Sequence, residues 1–333
     1  MKKILITGGC GFIGSNLILF LRKHRPNWQI VNLDKLTYAA NPQNLKILRD
    51  DQNYRFVKGD ISDANIVERV FAKERPEAVI AMAAESHVDR SILHPDTFLK
   101  TNIFGTYVLL EAARKYQVKR FIQIGTDEEY GSIEKGSFQE TSPLSPASPY
   151  SASKAAASLL ALSFYKTYGL PIIVTRSSNN FGPFQFPEKF IPRLITNAIL
   201  GQNLPVYGRG KNVRDWIFVE DNCRGILLAL EKGKAGEIYN IGGGNEKTNL
   251  EIAQKIAAMF PRSKIEFVAD RPGHDFRYSL NCQKIQKLGY QKGDSFENNL
   301  LKTIRWYQEN VAWWKELKEK SEALYQNWGK AAK

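Results

Sequence analysis

Residues 3–24 read KILITGGCGFIGSNLILFLRKH, a short apolar run followed by a glycine-rich loop and a periodic apolar stretch. This order predicts a β-strand over Lys3–Thr7, a tight turn and a helix over Phe12–His24. Gly8, Gly11 and Gly14 allow the backbone of the turn to approach a pyrophosphate, and the N-terminus of a helix attracts negative charge. The stretch therefore predicts a dinucleotide-binding turn.

The alternation of strand and helix continues as far as residue 175. Further strands are predicted over 29–33, 54–58, 78–81, 120–125 and 171–175, and helices over 64–73, 96–116 and 151–168. Apolar strands separated by helices are typical of a doubly wound parallel sheet with helices on both faces. We expect an α/β protein in which residues 1–178 form an NAD-binding Rossmann domain.

Beyond residue 176 the pattern is less regular, and prolines interrupt shorter elements. Residues 179–333 are expected to form a smaller, mixed α/β substrate-binding domain that includes strands over 237–241 and 264–268. A helix over 219–231 is expected to return to the first domain with segment 211–233. The boundary between the two domains is therefore predicted to be discontinuous.

Composition excludes several classes of protein. The chain has 333 residues, with 47 Lys and Arg against 34 Asp and Glu, a net charge of +13. This charge is compatible with nucleic acid, an anionic membrane surface or small anionic ligands. The basic residues are dispersed, which argues against nucleic acid, and neither a nucleic-acid nor a membrane partner is predicted. Three widely spaced cysteines indicate neither a metal site nor a disulfide framework. The sequence also has no apolar run of signal-peptide or membrane-spanning length. The cysteine pattern and this absence together favour a cytoplasmic location.

Asp34 follows the second predicted strand, 20 residues after Gly14. A carboxylate at this place can accept hydrogen bonds from the adenosine ribose hydroxyls and repels a 2′-phosphate. The position therefore favours NAD over NADP as the cofactor.

Tyr150 and Lys154 are four residues apart at the start of a predicted helix, so their side chains share one face. A nearby ammonium group stabilises a phenolate and lowers the pKa of the tyrosine. The pair predicts a tyrosine that acts as a base near neutral pH.

Residues 125–131 read GTDEEYG at the carboxyl end of the fifth predicted strand, the edge at which ligands bind in such sheets. Adjacent carboxyl groups in a crevice repel each other, which can keep one protonated and leave another ionised. The three adjacent acids Asp127, Glu128 and Glu129 thus predict an acid and a base side by side, the combination that an elimination requires.

Together these motifs resemble those of the extended short-chain dehydrogenase/reductases, and more narrowly the dTDP-glucose 4,6-dehydratases. The similarity extends from Lys3 to Trp314 and includes the stretches DKLTYA (34–39), AAESHVDRS (83–91), SNNFGPFQFPEK (178–189) and DRPGHD (270–275). The Thr126-Asp127-Glu128 triplet is its most specific part.

The resemblance implies an NAD-dependent lyase that converts a dTDP-glucose-type substrate into a 4-keto-6-deoxy sugar. Tyr150, assisted by Lys154 and Thr126, would remove the proton of the 4-hydroxyl during oxidation at C4. Glu128 would take the C5 proton, Asp127 would protonate the departing 6-hydroxyl, and hydride would return to C6. NAD would remain tightly bound and be regenerated in each turnover.

The resemblance also implies which residues bind the two ligands. The NAD-binding residues would be Gly8, Gly11, Phe12, Ile13, Gly14, Asp34, Lys35, Thr37, Asp60, Ile61, Ala83, Ala84, Thr101, Tyr150, Lys154 and Asn180. The nucleoside-diphosphate sugar would contact Ser86, Thr126, Asn179, Lys189, Phe190, Pro205, Tyr207, Arg214, Asn249, Arg271 and His274. Arg214 in particular could form a charge-assisted fork with a diphosphate.

The sequence departs from the family pattern at two places near the catalytic residues. Glu129 stands where these dehydratases usually have valine, and Arg176-Ser177-Ser178 replaces a more common Asn-Cys-Ser. A third carboxyl group could perturb the pKa values of its neighbours or compete with Glu128 for the role of base. UDP-glucose and UDP-N-acetylglucosamine are therefore alternative substrates.

Two other functions remain open at the level of sequence. A nucleotide-sugar 4-epimerase would also use Tyr150 but would not need the adjacent acid and base. A catalytically silent NAD-binding sensor would not need Tyr150, Lys154 and Thr126 together.

The helix predicted over 151–168 is apolar on more than one stripe, which indicates either deep burial or pairing with another chain. The family resemblance implies a homodimer formed through a four-helix bundle.

Overall fold

The computed structural model describes residues 3–270 and 275–320. Within these residues the strands are β1 (Lys3–Thr7), β2 (Gln29–Asp34), β3 (Tyr54–Lys58), β4 (Ala78–Ala81), β5 (Arg120–Thr126), β6 (Ile172–Ser177), β7 (Asn179–Phe181), β8 (Leu204–Tyr207), β9 (Val213–Phe218), β10 (Ile238–Ile241), β11 (Glu246–Thr248) and β12 (Ile265–Val268). The α-helices in the same ranges are α1 (Phe12–His24), α2 (Ala64–Glu74), α3 (Val88–Leu93), α4 (Pro95–Phe98), α5 (Gly105–Lys115), α6 (Pro149–Tyr168), α7 (Phe190–Ile199), α8 (Val219–Lys232), α9 (Asn249–Ala257), α10 (Gln283–Lys287) and α11 (Phe296–Glu309), and residues 311–320 are also helical.

The main layer is a seven-stranded parallel sheet in the order β10-β6-β5-β4-β1-β2-β3. Helices α1 and α8 cover one face of the sheet, and α2, α5 and α6 cover the other. This doubly wound α/β arrangement confirms the predicted fold class. The strand order reverses between β1 and β4, which opens a crevice at the carboxyl ends of these strands.

The predicted helix over 96–116 is wrong in its continuity. The chain instead forms α4, a π-helical segment over Leu99–Phe104, and then α5. The physical reason lies at Asn102 inside the wider turn, whose side chain accepts from the backbone N–H of Glu85 at 2.9 Å and donates to Ser153 Oγ at 2.8 Å. The break thus connects the loop after β4 to α6.

The strand expected over 237–241 does not lie in the second domain. As β10 it pairs in parallel with β6 at one end of the main sheet. Tyr239 and Ile241 are buried there in one apolar cluster with Ile226 and Leu230 of α8. Helix α8 in turn packs against α1, so the chain beyond 178 contributes both a strand and a covering helix to the first layer.

The remaining elements form a smaller layer beside the crevice. It contains a three-stranded sheet, β11-β9-β7, and a parallel pair, β12-β8, which pack with α7, α9 and α11. Its core is rich in aromatic side chains, among them Phe181, Trp216, Tyr307 and Trp314. Two predicted substrate residues, Arg271 and His274, lie outside the described residues.

Candidate active site

A cavity of about 330 Å³ opens at the carboxyl edge of the main sheet. It is lined by every residue that the sequence analysis assigned to NAD and by the catalytic candidates Thr126, Asp127, Glu128, Tyr150 and Lys154. The crevice expected from the strand order is therefore the place where the two sets of residues meet.

The glycine turn is shaped for a ligand rather than for its own side chains. Gly8 has a φ of +72°, and a Cβ built there would lie 2.7 Å from the Cα of Ala83. A Cβ on Gly14 would lie 2.3 Å from the carbonyl oxygen of Gly8, whereas one on Gly11 would find that oxygen at 3.4 Å. A methyl group on Gly11 would therefore make only an ordinary van der Waals contact at the first turn of α1, where no side chain caps the helix. Free backbone N–H groups at that end suit a pyrophosphate.

Asp34 lies buried at the end of β2 and lines the cavity. Its Oδ2 accepts from the N–H of Cys10 and its Oδ1 from the N–H of Leu36, both at 2.8 Å. Burial raises the pKa of Asp34, and the two backbone hydrogen bonds oppose that rise. Close by, Lys35 forms an ion pair with Asp60 at 2.7 Å. These contacts fix the carboxylates at the expected adenosine end of the cavity.

Asp127 begins a 3₁₀ turn directly after β5 and is buried. Its Oδ1 accepts from the Thr126 hydroxyl at 3.2 Å, and its Oδ2 has no hydrogen-bond partner among the described residues. Burial, followed by the charges of Glu128 and Asp215, raises the pKa of Asp127 well above its ordinary value. A carboxyl group held in its protonated form can donate a proton near neutral pH.

Helix α6 brings Tyr150 and Lys154 to the same cavity. The helix starts with a capping box between Ser148 and Ser151, and Pro149 occupies its first turn. The Lys154 ammonium donates to the carbonyl oxygen of Ile124 in β5. Burial lowers the pKa of Lys154 to about 8, an effect that Glu129 opposes.

The expected low pKa of Tyr150 is not found in the ligand-free protein. Burial raises the pKa of Tyr150 well above its ordinary value, and the charges of Glu128, Glu129 and Asp127 add to the rise. The prediction considered only the positive charge of Lys154. The turn after β5 brings three carboxyl groups toward the Tyr150 hydroxyl as well. Deprotonation of Tyr150 therefore depends on positive charge at the hydroxyl.

Glu129 points away from the cavity and does not line it. Its Oε1 accepts from the N–H of Thr126 at 3.1 Å and from the hydroxyl of Ser158 at 3.0 Å, and its Oε2 accepts from Arg176 Nε at 2.7 Å. Burial raises the pKa of Glu129, and the charges of Arg176 and Lys154 oppose that rise. The two unusual residues of the sequence thus form one buried ion pair, and the side chain facing the cavity is Glu128.

The predicted substrate residues divide into two groups. Ser86, Thr126, Asn179 and Lys189 line the cavity. The residues that do not line it are Phe190, Pro205, Tyr207, Arg214 and Asn249. The guanidinium of Arg214 instead donates to the carbonyl oxygens of Val213 at 2.8 Å and Asp275 at 2.9 Å, next to residues 271–274.

Several cavity residues were missed as individual site residues. They include Tyr38, Glu85, Gln185, Phe186 and Glu188. The Tyr38 hydroxyl donates to Glu188 at 3.3 Å, and the Arg90 guanidinium lies 3.9 Å from the centre of the Tyr38 ring. All five cavity residues lie in sequence stretches that carry the family resemblance, which was the available signal.

Known proteins are similar to this chain in both sequence and fold. The model of the GDP-mannose 4,6 dehydratase family matches residues 5–303. The dTDP-glucose 4,6-dehydratase of Streptomyces niveus is 49% identical over 96% of this chain and 97% of its own.

Solved structures agree with these sequence matches. The dTDP-glucose 4,6-dehydratase of Streptomyces venezuelae, solved with NAD bound, superposes with a TM-score of 0.92 at 47% identity, over 95% of this chain and 100% of that one. A UDP-glucose 4-epimerase of Thermotoga maritima gives a TM-score of 0.87 at 31% identity, over 93% and 100%. Fold, cavity and similarity together show that the chain belongs to the dTDP-glucose 4,6-dehydratase family.

Proposed function

We propose that this protein is an NAD-dependent dTDP-glucose 4,6-dehydratase. The observation that carries the proposal is the buried Asp127, whose pKa burial raises well above its ordinary value, beside Glu128 in the cavity that also holds Tyr150 and Lys154. An epimerase needs a tyrosine base but has no use for a carboxylic acid held ready to donate.

The cavity fits NAD on structural grounds. Gly11 of the glycine turn lines the cavity, the N-terminus of α1 there has no side-chain cap, and Asp34 lies beside the turn and accepts from the N–H of Cys10. These groups would hold the pyrophosphate and the adenosine ribose. When bound, NAD accepts the C4 hydride of the sugar and returns it to C6.

Tyr150 would remove the proton of the sugar 4-hydroxyl, so that the hydroxyl becomes a ketone. Thr126 can donate a hydrogen bond beside it, and Lys154 supplies the positive charge that favours the phenolate. Burial lowers the pKa of Lys154 to about 8, so this charge is lost at lower pH than for an exposed lysine.

The new ketone at C4 acidifies the proton on C5. Glu128 would take this proton and Asp127 would protonate the departing 6-hydroxyl, so that one water leaves and a C5–C6 double bond forms. Hydride return to C6 and reprotonation at C5 then give the 4-keto-6-deoxy sugar. The reaction has no net change in oxidation state.

The proposal is tested by incubating the purified protein separately with dTDP-glucose, UDP-glucose and UDP-N-acetylglucosamine and following mass by mass spectrometry. We expect dTDP-glucose to lose one water fastest. Loss from a UDP-sugar alone would reassign the nucleotide. A product of unchanged mass and inverted C4 would identify an epimerase, and bound NAD without any turnover would identify a sensor.

The cofactor site predicts opposite behaviour for two neighbouring glycines. Gly11→Ala should fold with a nearly unchanged melting temperature but retain much less NAD after purification, because its methyl group would make only an ordinary contact with the Gly8 carbonyl oxygen and would line the cavity where the pyrophosphate is expected. Gly14→Ala should lower the melting temperature, because its methyl group would collide with the Gly8 carbonyl. Thermal unfolding and NAD content by absorbance distinguish the two. Normal NAD content in Gly11→Ala would contradict this placement of the cofactor.

We also propose a homodimer that pairs α5 and α6 with their copies in a second chain. Leu99, Phe104, Tyr107 and Leu159 are large apolar side chains between 43% and 57% exposed on this side of the molecule. Apolar residues gathered on adjacent helices are typical of a surface that another chain covers. Four helices, two from each chain, would complete the bundle.

This dimer predicts that Leu159→Arg gives a monomer in light scattering coupled to gel filtration. The arginine would place an uncompensated charge in the centre of the apolar surface. Ile47→Arg is the matched control, since Ile47 is 79% exposed in the 3₁₀ segment Pro42–Leu48, which packs against α1 on the opposite face of the sheet. It should leave the dimer intact. A wild-type monomer at assay concentration would reject the proposal.

The domain division and the location complete the proposal. The seven-stranded sheet with its helices would serve NAD, and the smaller layer would serve the nucleotide sugar. Cys10, Cys223 and Cys282 are free thiols, as suits a reducing cytoplasm, which cell fractionation tests. Among the described residues, no helix is long and apolar enough to cross a membrane. Nor do these residues contain three or more His, Cys, Asp or Glu side chains grouped as metal ligands.

A further inference from the structure

The buried pair of Glu129 and Arg176 lies directly behind the catalytic turn. Both side chains are essentially inaccessible, at 0% and 2% exposure, and Arg176 Nε lies 2.7 Å from Glu129 Oε2. Two charges removed from water to this extent are costly unless each has partners. Here the carboxylate has three hydrogen bonds, and the guanidinium also lies 4.6 Å from the centre of the Tyr130 ring.

We propose that Glu129 and Arg176 act as one positioning unit for catalysis: Glu129 joins the catalytic turn to α6 and places its charge behind the catalytic residues, while Arg176 holds Glu129 in place as its ion-pair partner. The inference rests on the proposed dehydratase function and adds two residues to its machinery. Neither residue touches the cavity, so both act through other groups.

One carboxylate oxygen of Glu129 has hydrogen-bond donors on two separate elements. Glu129 Oε1 accepts from the N–H of Thr126, at the end of β5, and from the hydroxyl of Ser158, on α6. Thr126 starts the turn that carries Asp127 and Glu128, and α6 carries Tyr150 and Lys154. A single carboxylate therefore links the acid and base of elimination to the base of oxidation.

The backbone around the pair is adapted to it. Gly125 is paired with Arg176 across β5 and β6, and a Cβ on Gly125 would lie 2.4 Å from Glu129 Oε1. Tyr130, on the other side, donates to Asn240 Oδ1 of β10 at 2.9 Å and stacks on Phe138. The pair thus packs closely between the catalytic turn, β6 and α6, which leaves no room for a side chain at Gly125.

The charge of Glu129 acts on Lys154. Burial lowers the pKa of Lys154 to about 8, and the negative charge of Glu129 raises it. Without that charge the ammonium would lose its proton at lower pH and could not stabilise the Tyr150 phenolate. The other ionisable groups that face Glu129, Lys154 or Tyr150 from the described elements packed around them are Asp127, Glu128, Tyr130 and Arg176.

The test compares the kcat and KM of wild type, Glu129→Gln, Arg176→Gln and the double variant, as holoenzymes, between about pH 6 and 10. Glutamine has the shape of glutamate and can still accept from Thr126 and Ser158, so the substitution removes mainly the charge. A neighbouring opposite charge typically shifts the pKa of an ionisable group by about one unit or more. We expect the alkaline fall in kcat to begin about one pH unit lower, with about fivefold lower kcat at pH 8 and KM nearly unchanged.

The single and double variants separate electrostatics from stability. Arg176→Gln should move the alkaline limb in the same direction, because an unpaired buried Glu129 takes up a proton. The double variant strands no charge, so its melting temperature should return toward wild type while the alkaline limb stays displaced. Ser158→Ala, which removes a hydrogen bond without changing charge, should leave the limb in place.

Two outcomes would overturn the inference. An unmoved alkaline limb in Glu129→Gln would show that its charge does not act on Lys154. Recovery of both melting temperature and wild-type pH profile in the double variant would show a role in packing alone. Either result leaves the proposed function intact if the wild type dehydrates dTDP-glucose, whereas an inactive wild type would reject that function itself.

Discussion

Tyr150→Phe is expected to lower kcat for dehydration of dTDP-glucose by about 10²- to 10⁴-fold, the usual contribution of a positioned acid or base. The substitution removes the one hydroxyl that can take the 4-hydroxyl proton and leaves the ring and its edge-on contact with Phe98. Oxidation at C4 precedes water loss, so every later step should stop with it. The measurement is steady-state turnover together with NADH absorbance in a single turnover.

The matched control is Tyr168→Phe, at the far end of the same helix, where the side chain is exposed. It should keep wild-type turnover. The Tyr150→Phe protein should also retain NAD and its melting temperature, because the glycine turn and Asp34 hold the cofactor without this hydroxyl. Transient NADH at the wild-type rate in Tyr150→Phe would show that another group is the base for oxidation.

Asp127→Asn is expected to slow water loss by about 10²-fold or more while leaving C4 oxidation nearly unchanged. Asparagine has the size of the protonated acid but cannot give up a proton to the departing hydroxyl. NADH and the 4-keto sugar should therefore accumulate in a single turnover, as measured by absorbance and by mass spectrometry after rapid quenching.

Deuterium exchange at C5 separates Asp127 from Glu128. In D₂O, Asp127→Asn should still exchange the C5 proton of the oxidised sugar, because Glu128 remains available to remove it. Glu128→Gln should accumulate the same ketone without exchange. Equal exchange in the two variants would contradict the assignment of acid and base.

Asp127→Asn should also be as stable as wild type or more stable at neutral pH. A carboxyl group whose pKa is raised in the folded state stabilises the protein below its unfolded pKa, and that stability is lost as pH rises toward the folded pKa. Wild type therefore carries a cost at Asp127 that asparagine does not. A raised melting temperature at pH 7, with the difference shrinking toward about pH 4, is the expected pattern.

Local sequence patterns predicted the first layer of the fold well. The strands over 3–7, 54–58 and 78–81 and the helix over 12–24 have the predicted bounds, because apolar periodicity and glycine punctuation fix them locally. The π-helical break at Asn102 and the return of β10 to the main sheet were missed. Both depend on contacts with distant residues, Glu85 and Ser153 in one case and β6 in the other, which no local pattern encodes.

Spacing and strand ends also predicted that the catalytic candidates meet at one edge of the sheet, and all five line the cavity there. What the sequence could not supply was the direction of each side chain. Glu129 and Glu128 are adjacent, yet one faces Arg176 and the other the cavity. The predicted low pKa of Tyr150 was wrong for the same reason. The pKa depends on three carboxyl groups, and tertiary structure sets their distance from the hydroxyl.

Because β10 pairs with β6 in the main sheet, the two layers are expected to fold together. A fragment ending at residue 178 would expose the whole hydrogen-bonding edge of β6, and it would leave the apolar side of α1 without α8. Unpaired edges of this kind template aggregation, so we expect that residues 1–178 do not fold as a separate unit. Because the chain crosses between the layers more than once, we expect unfolding to be cooperative, with loss of the smaller layer and loss of cofactor affinity in one transition.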